Sequence, residues 1–452
     1  AIINVFWKLN YKIYKISLNA LFFFIRIPTF EAVFDSKASA FYVLEKNDEL
    51  LDKKTPKTME QKSDPRGILK EPTFRIILAI VVMAVIGGSL VAPILPSMIE
   101  PLGTTQEMVG LVMSIYTLFA LFSTPVHGVL ADRFGRKRVL VPAAVLYGAS
   151  GFSIAFTDVF YGVLILRALQ GIGAAGMMGL GVTLIGDIFK EKARATAMGY
   201  RSSAQSLVNT AIPFISGSIA TIAWFYPFYI YILAIPLAIF ISLRLEDTSI
   251  PNQSSIKDYF KTIFLVMKDK KTLWVYSSNL FVFIFLFCLI VYGPILVVEE
   301  LNLSTMYTGM LLSVGSLIAA ITAFQSGKLY YRFQKYQIVA LGFLLCGTGL
   351  FLISLALSFI YLISCIVIWG VGFGLVFPTL NTTVTELVSS HLRAGVVSGF
   401  TAMTYIGQTI SPPLFGFILN FSDLGTVFFI AALLTLLPFG FTLVIRFVYR
   451  KI

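Results

Sequence analysis

Residues 128–138 read GVLADRFGRKR, a short polar stretch between two long apolar ones. Gly128 would let two helices approach closely, and Gly135 would permit a tight turn. A basic loop at a membrane surface accounts for the arginines, but it leaves Asp132 and the spacing of the two glycines unexplained. The stretch therefore predicts a structured turn at which the ends of several helices meet.

The composition on either side of this stretch indicates that lipid surrounds most of the chain. Of 452 residues, 57% are hydrophobic and 13% are charged, against about 45–50% and about 25% in soluble domains. The three cysteines lie inside apolar runs, which argues against a disulfide framework or a metal set. Neither His127 nor His391 has a Ser/Asp or Cys partner at a catalytic spacing, and no phosphate-binding Gly-Lys-Ser/Thr loop occurs. We therefore expect neither an enzyme nor a cofactor.

Long apolar segments alternate with short polar ones and predict an all-α membrane protein with twelve spanning helices. The predicted spans are residues 75–98, 106–131, 139–156, 160–186, 194–222, 226–243, 273–298, 306–327, 338–357, 359–385, 394–419 and 425–446. The polar residues 244–272 divide them into two sets of six, with a short amphipathic piece at 256–267.

The predicted organisation follows from these spans. We expect residues 1–58 to be a non-native or disordered extension, with an amphipathic surface helix as the alternative. Residues 59–73 are then a cytoplasmic tail, 74–243 and 273–447 two six-helix bundles, 244–272 a cytoplasmic central loop and 448–452 the cytoplasmic C-terminus.

The basic residues predict the orientation. From Met59 onward every Lys and Arg except Arg167 falls on one side of the predicted bilayer, and the loops of the other side carry acids such as Glu100 and Glu299. This positive-inside pattern predicts a multi-pass protein of the plasma (inner) membrane with both termini in the cytoplasm. The same pattern accounts for the net charge of +12, because the basic residues lie beside membrane lipid. We therefore expect membrane lipid as a partner and no nucleic acid.

The two halves are copies of one another. A shift of 199 residues without a gap superimposes Gly, Pro and Arg positions over six spans: Gly110 on Gly309, Gly128 on Gly327, Arg133 on Arg332, Gly171 on Gly370, Pro213 on Pro412 and Gly217 on Gly416. Because six is even, both copies enter the membrane in the same direction, which predicts a parallel repeat about an axis along the membrane normal.

On residues 128–138 the chain resembles the major facilitator superfamily, whose signature loop reads G-x-L-a-D-R-x-G-R-[KR]. The resemblance implies that Asp132 faces the N-terminal end of the helix starting near Ala394, and that Arg136 pairs with Asp187. Such contacts would hold a cytoplasmic gate shut while the protein faces outward. The implied gate residues are Gly128, Asp132, Arg133, Gly135, Arg136, Lys137 and Asp187.

The second copy of the motif is degraded, because Tyr331 replaces the acid. Lys335 and Glu386 nevertheless occupy the places of Arg136 and Asp187, which predicts a second, weaker ion pair or a solvated contact worth almost nothing. The residues of this second-half gate are Gly327, Arg332, Lys335 and Glu386.

Arg167 is the one ionisable residue from Met59 onward that we place well inside the hydrocarbon. Residues 167–175, RALQGIGAA, resemble the R-x-x-Q-G-x-G-A-A pattern of the superfamily's drug:proton antiporters, in which the Arg is linked to proton coupling. Arg167 and Gln170 are therefore coupling candidates, with Glu100 and Glu299 as the acids best placed to reach an outward-open cavity. The alternatives are that Arg167 snorkels outward or bonds carbonyls, and that both acids face the outer solvent.

A substrate cavity is expected at the midplane between the halves. Its candidate polar residues are Ser114, Tyr116, Gln170, Gln205, Asn209, Asn279, Tyr292, Asn381, Thr382, Tyr405 and Gln408. No span carries an acid near its middle, so the predicted substrates are neutral or amphipathic organic molecules rather than permanent cations.

The predicted function is secondary active transport, namely proton-coupled export of small organic molecules by alternating access, in a monomer. The antiporter pattern of the fifth span is mostly lost, with only Pro213 and Gly217 retained. That departure keeps open an uptake carrier or facilitator for a sugar-like or other polar metabolite, and a non-transporting sensor is a further alternative.

Overall fold

The computed structural model describes residues 67–245, 269–355, 358–387 and 393–449, which belong to the unit Glu60–Ile452. The predictions for residues 1–58, for most of the central loop with its piece at 256–267, and for His391 lie outside the described residues.

Each predicted span corresponds to a helix or to two consecutive helices. They are α1 (Pro72–Ser89), α2 (Leu111–Phe134), α3 (Arg136–Ser153), α4 (Phe160–Ile188), α5 (Glu191–Ala220), α6 (Ala234–Arg244, after a tighter helix Tyr226–Leu233), α7 (Lys270–Ile295), α8 (Thr305–Arg332), α9 (Lys335–Ile353), α10 (Phe359–Glu386), α11 (Arg393–Leu419) and, for the twelfth span, α12 (Leu424–Leu434) followed by α13 (Leu436–Tyr449).

Ten of the spans in the described ranges are long and apolar enough to cross a membrane. The other two, α5 and α11, are 30 and 27 residues long and more polar. At about 1.5 Å per residue either helix spans a hydrocarbon layer of about 30 Å. Their polarity fits helices that face the other half of the protein rather than lipid.

Local chemistry sets several helix ends. Gly135 separates α2 from α3 with φ of 101°, a conformation that a residue with a Cβ rarely adopts. Asp269 caps α7 by accepting from Thr272 N at 3.0 Å, and Asp423 caps α12 by accepting from Thr426 N at 2.7 Å. These caps satisfy backbone donors that a helix start leaves without partners.

Helix packing repeats between the halves. In the first half α4 packs against α2 and α3, and in the second half α10 packs against the equivalent helices α8 and α9. Between the halves α2 packs against α11, and α5 packs against α8. These two inter-half pairs exchange under the repeat, which is the arrangement that a twofold axis along the membrane normal requires.

The halves meet most closely at the end of the bundle that carries Glu100, Glu299 and Asp423, called here the acidic end. The opposite end, with the Gly135 turn and the starts of α5 and α9, is called the basic end. At the acidic end a Cβ on Gly217 would lie 2.4 Å from Thr305 O, and one on Gly309 would lie 2.3 Å from Pro213 O. Because only a hydrogen fits there, the backbones of α5 and α8 are in direct contact.

Hydrogen bonds across the halves reinforce this contact. Thr305 Oγ1 donates to Gly217 O at 2.9 Å, and Thr308 Oγ1 donates to Pro93 O at 2.7 Å. Near the same end of α2 and α11, the hydroxyls of Thr117 and Thr409 lie 2.9 Å apart. The acidic end is therefore closed in this structure.

Candidate functional site

The charged residues of the 128–138 motif meet at the basic end. Arg136 Nε lies 3.3 Å from Asp187 Oδ2, and its Nη1 also bonds Asp132 Oδ1. Asp132 and Asp187 lie in the last turns of α2 and α4, and Arg136 begins α3. Each charge sits at the helix end that its sign disfavours, so the mutual pairing offsets the unfavourable helix dipoles. One guanidinium thus connects three helix ends.

The motif glycines differ from the expectation. A Cβ on Gly128 would meet no atom of the described residues within 4 Å, and the same holds for its repeat equivalent Gly327. The close helix approach expected at Gly128 is therefore wrong for this conformation, because no atom of the described residues lies within reach of a Cβ placed there. Arg133 and Arg332 are exposed, with Arg133 Cζ 5.4 Å from the Phe134 ring centroid.

The second-half pair also forms. Lys335 Nζ lies 3.6 Å from Glu386 Oε2, which also accepts from the Tyr330 hydroxyl at 2.6 Å. The Lys335 and Glu386 side chains are 29% and 46% exposed. At that exposure an ion pair contributes only about 0–1 kcal/mol. The second pair is therefore weaker than the half-buried Arg136 pair.

Arg167 does not snorkel; it is fully buried inside the first half. Its Nε donates to Val112 O at 3.1 Å, and its Nη1 donates to Gly87 O at 3.0 Å and to Gln170 Oε1 at 2.7 Å. Its Cζ lies 4.2 Å from the Tyr116 ring centroid, a cation–π contact. Arg167 therefore bonds backbone carbonyls, which was one of the two alternatives for this residue. Its side chain joins α1, α2 and α4.

The predicted acids are remote from this guanidinium. Glu100 and Glu299 are both exposed at the acidic end. In the described ranges no carboxylate lies within 4.0 Å of Arg167. The structure therefore brings Arg167 and Gln170 together but not with Glu100 or Glu299.

Two tyrosines complete the buried cluster and were missed from the sequence. The Tyr147 hydroxyl donates to Met83 O, and the Tyr231 hydroxyl donates to Ile86 O at 3.4 Å. Both side chains are fully buried, and their rings meet edge to face at 5.5 Å. Together with Arg167 they bond three carbonyls of α1, which fixes this helix to its neighbours. Only their position between apolar residues could have indicated this role.

The predicted cavity residues fall into two groups. Ser114, Tyr116, Gln170, Asn279 and Tyr292 are buried in helix packing. Asn279 Nδ2 donates to Phe400 O at 2.9 Å and to Thr404 Oγ1 at 2.8 Å, and the Tyr292 hydroxyl donates to Pro412 O at 2.6 Å. The prediction that Asn279 and Tyr292 line a cavity is wrong for this conformation, because their polar atoms bond α11 and hold α7 against it.

The second group remains accessible. Gln205, Asn209, Tyr405 and Gln408 are half-buried, and Asn381 is exposed. Gln205 and Asn209 lie four residues apart and share a face of α5. These are the predicted polar residues whose side chains stay at least partly exposed in this conformation.

A further residue of this face is Arg201, which lies within the predicted fifth span, 194–222, and is counted with the basic residues of the cytoplasmic side. Arg201 lies ten residues after the start of α5, which is about 15 Å along the helix. Its Nη2 contacts Met178 Sδ at 3.5 Å, and its Nε is buried without a hydrogen-bond partner among the described residues. Spacing on the helical face it shares with Gln205 and Asn209 was the available signal.

The fold and site define a membrane transporter built from two repeated six-helix halves, closed at one end and carrying polar groups between them. The sequence profile of the Major Facilitator Superfamily matches residues 77–412. The chain therefore belongs to the Major Facilitator Superfamily.

Named relatives cover most of the chain. It is 26% identical over 364 residues to the bacillibactin exporter of Bacillus subtilis (strain 168), covering 74% of this chain and 87% of that protein. It is 26% identical over 360 residues to multidrug resistance protein 1 of the same organism, covering 78% and 90%. A crystal structure of a bacterial homolog of the human lysosomal transporter Spinster, inward-facing and occupied, superimposes with a TM-score of 0.70 at 15% identity, covering 85% and 97%.

Proposed function

We propose that this protein is a secondary active transporter that exports small neutral or amphipathic organic molecules in exchange for protons by alternating access. It acts as a monomer in the plasma membrane, with the basic end in the cytoplasm. Relatives named as an exporter and a multidrug resistance protein support the outward direction and small-molecule substrates.

The observation that carries the proposal is the difference between the two ends. At the acidic end Gly217 and Gly309 leave no room for a Cβ, whereas at the basic end a Cβ on Gly128 or Gly327 would have no described atom within 4 Å. Because the halves are related by a twofold axis, rocking them about the middle opens one end as it closes the other. The present state then admits molecules from the basic end.

Closing the basic end requires new contacts there. We propose that Asp132, already bonded to Arg136, then also faces the start of α11, where a carboxylate interacts favourably with the helix dipole. The Arg136–Asp187 contact holds the Asp132 carboxylate in place for that step. The gate therefore works as a connected set of charges, rather than as a single pair.

Arg167 supplies the proposed link to protons. A guanidinium does not release a proton at working pH, so its role is electrostatic. Because its acceptors come from α1, α2 and α4, a shift of α1 or α2 within the first half changes the field at Tyr116 and Gln170. Glu100 and Glu299, which are exposed at the acidic end, are the proposed acids that exchange protons with the outer medium.

The test uses the full chain in proteoliposomes with radiolabelled chloramphenicol, a neutral amphipathic compound. Efflux from the face bearing the basic end should require a pH gradient, and Glu100→Gln with Glu299→Gln should abolish that requirement. Absence of any flux, with or without a gradient, would reject transport of this substrate class.

One observation favours a second candidate, a facilitator of the same compounds. In the described part of the chain Arg167 has no carboxylate within ion-pair distance. Flux that equilibrates chloramphenicol equally well without a pH gradient, in the wild type and in Arg167→Lys, would identify the facilitator.

A further inference from the structure

The accessible face of α5 carries a positive charge. Arg201, Gln205 and Asn209 recur every four residues on it, and all three side chains are half-buried. Four-residue spacing places side chains one above another on a helix. A molecule between the halves therefore meets a guanidinium followed by two amides.

The guanidinium has incomplete bonding. Its Nη2 has only the Met178 sulfur, at 3.5 Å, and its Nε has no hydrogen-bond partner among the described residues. A thioether is a weak acceptor, and an arginine has five N–H donors in a planar fork. In the described ranges no carboxylate lies within 4.0 Å of Arg201. The unused donors of such a fork are suited to bind an anion.

The surroundings of Arg201 include a residue of the second half. Tyr405 of α11 lies near Arg201 and near Tyr116 of α2, and the Tyr116 ring lies against Arg167. Two arginines and two tyrosines thus lie near one another, and in the described ranges neither arginine has a carboxylate within 4.0 Å. Their summed field repels cations and attracts anions.

The repeat shows that this charge belongs to one half alone. The 199-residue shift places Phe400 at the position of Arg201 and Ile366 at the position of Arg167. Phe400 is 3% exposed and lies 6.5 Å from the ring of Phe377, which in turn stacks on Phe373 at 5.6 Å. The second half offers rings where the first offers a cation.

We infer that the transported molecules are amphipathic organic anions whose carboxylate or phenolate binds Arg201 and whose apolar body faces the second half. This inference rests on the proposed function and narrows its substrate class. A planar carboxylate bonds an arginine fork through two parallel N–H donors, which a neutral analogue cannot do.

The experiment compares three probes of one shape and different charge: 1-naphthoate, 1-naphthalenemethanol and 1-naphthylmethylammonium. Binding to the purified full chain is measured by calorimetry at neutral pH. We expect naphthoate to bind at least about tenfold more tightly than the alcohol, and the ammonium compound to bind most weakly. Equal binding of naphthoate and the alcohol in the wild type would overturn the inference.

Variants assign the preference to Arg201. Arg201→Gln should bring the naphthoate-to-alcohol ratio to about one while keeping alcohol binding, and Arg201→Lys should retain part of the preference. Arg244→Gln, an exposed arginine at the end of α6, is the matched control and should leave the ratio unchanged. An unchanged ratio in Arg201→Gln would also overturn the inference.

Flux measurements separate this inference from the proposed function. Gradient-driven export of chloramphenicol without any preference for naphthoate would retain the proposed function and reject the anion site. A binding preference for naphthoate that depends on Arg201, with no flux of any probe, would retain the site and reject the transport.

Discussion

Gly217→Ala should push the protein away from the state seen here. The added Cβ would lie 2.4 Å from Thr305 O, and the next nearest atoms, in Gly309, are 3.1 Å away. Real Cβ atoms essentially never approach backbone oxygen that closely, so α5 and α8 must separate at the acidic end. The clash exists only while the two halves are in contact there, so the state with an open acidic end gains in population.

The size of the effect follows from the rigidity of the partner. The atoms that must move are backbone atoms of a helix, so no side-chain rotation relieves the contact. Overpacking by one methyl group in such a place costs about 1–3 kcal/mol. That free energy corresponds to a change of roughly 5–150-fold in the ratio of open to closed acidic ends.

The assay is labelling of a reporter cysteine with a membrane-impermeant maleimide. Thr308 is fully buried and donates to Pro93 of the other half, so Thr308→Cys reports opening of the acidic end. The native cysteines Cys288, Cys346 and Cys365 are buried and are replaced by Ala in every sample. Labelling should be faster when Gly217→Ala is added.

Two glycines provide controls. Gly179→Ala adds a Cβ with nothing within 4 Å among the described residues, and it should leave labelling unchanged. Gly173→Ala places a Cβ 2.5 Å from Ala143 O within the same half, so it should lower stability without changing the ratio of states. Unchanged labelling of the reporter in Gly217→Ala would refute the claim that this contact closes the acidic end.

Three further predictions concern other sites. Arg167→Lys leaves buried acceptors without partners, and each of them should lower the free energy of unfolding by about 1–3 kcal/mol. The variant should therefore melt at a lower temperature and lose pH-driven flux, but it should still bind substrate. Calorimetry measures the melting and the binding, and proteoliposome assays measure the flux. Asp132→Asn keeps the shape but removes the gate charge, so Thr308→Cys labelling should fall by roughly 5–150-fold in the underlying equilibrium, and equal labelling would count against the gate. Asp423→Ala removes the cap of α12 and should cost about 1 kcal/mol in thermal unfolding. Because the Thr426 backbone N–H holds the pKa of Asp423 below its ordinary value of 3.8, the cap stabilises at neutral pH and this stabilisation is lost as the pH falls through the lowered pKa; a wild-type and variant difference that stays constant into acid would contradict it.

The spans could be predicted because hydropathy reports directly on the solvent around a helix. The fourth span was predicted at residues 160–186, and α4 runs from Phe160 to Ile188. The helices that pack between the halves could be predicted only in part. The repeat predicts that such pairs occur in equivalent sets, but it does not say which helices form them.

Which polar residues line a cavity could not be predicted, because it depends on how each helix is rotated against its neighbours. Asn279 and Gln205 look alike in sequence, yet one bonds α11 and the other is half-buried on α5. The role of Arg201 was not predicted, because the positive-inside pattern assigns a basic residue to a side of the membrane and not to a depth within it. Whether another helix packs against Gly128 depends on which end of the protein is closed, and the sequence does not distinguish these two states.

The glycine contact between α5 and α8 also affects the rate of the conformational change and the tolerance of this region to mutation. At Gly217 and Gly309 the two helices touch through their main chains, so no side chain at these two positions changes rotamer when the helices part, which should keep the activation barrier of each turnover low. Because the contact is made by backbone atoms, most substitutions nearby should leave it intact. Any substitution at Gly217 or Gly309 adds a Cβ for which there is no room. In a collection of functional random variants, these two codons should remain unchanged while the lipid-facing residues around them drift.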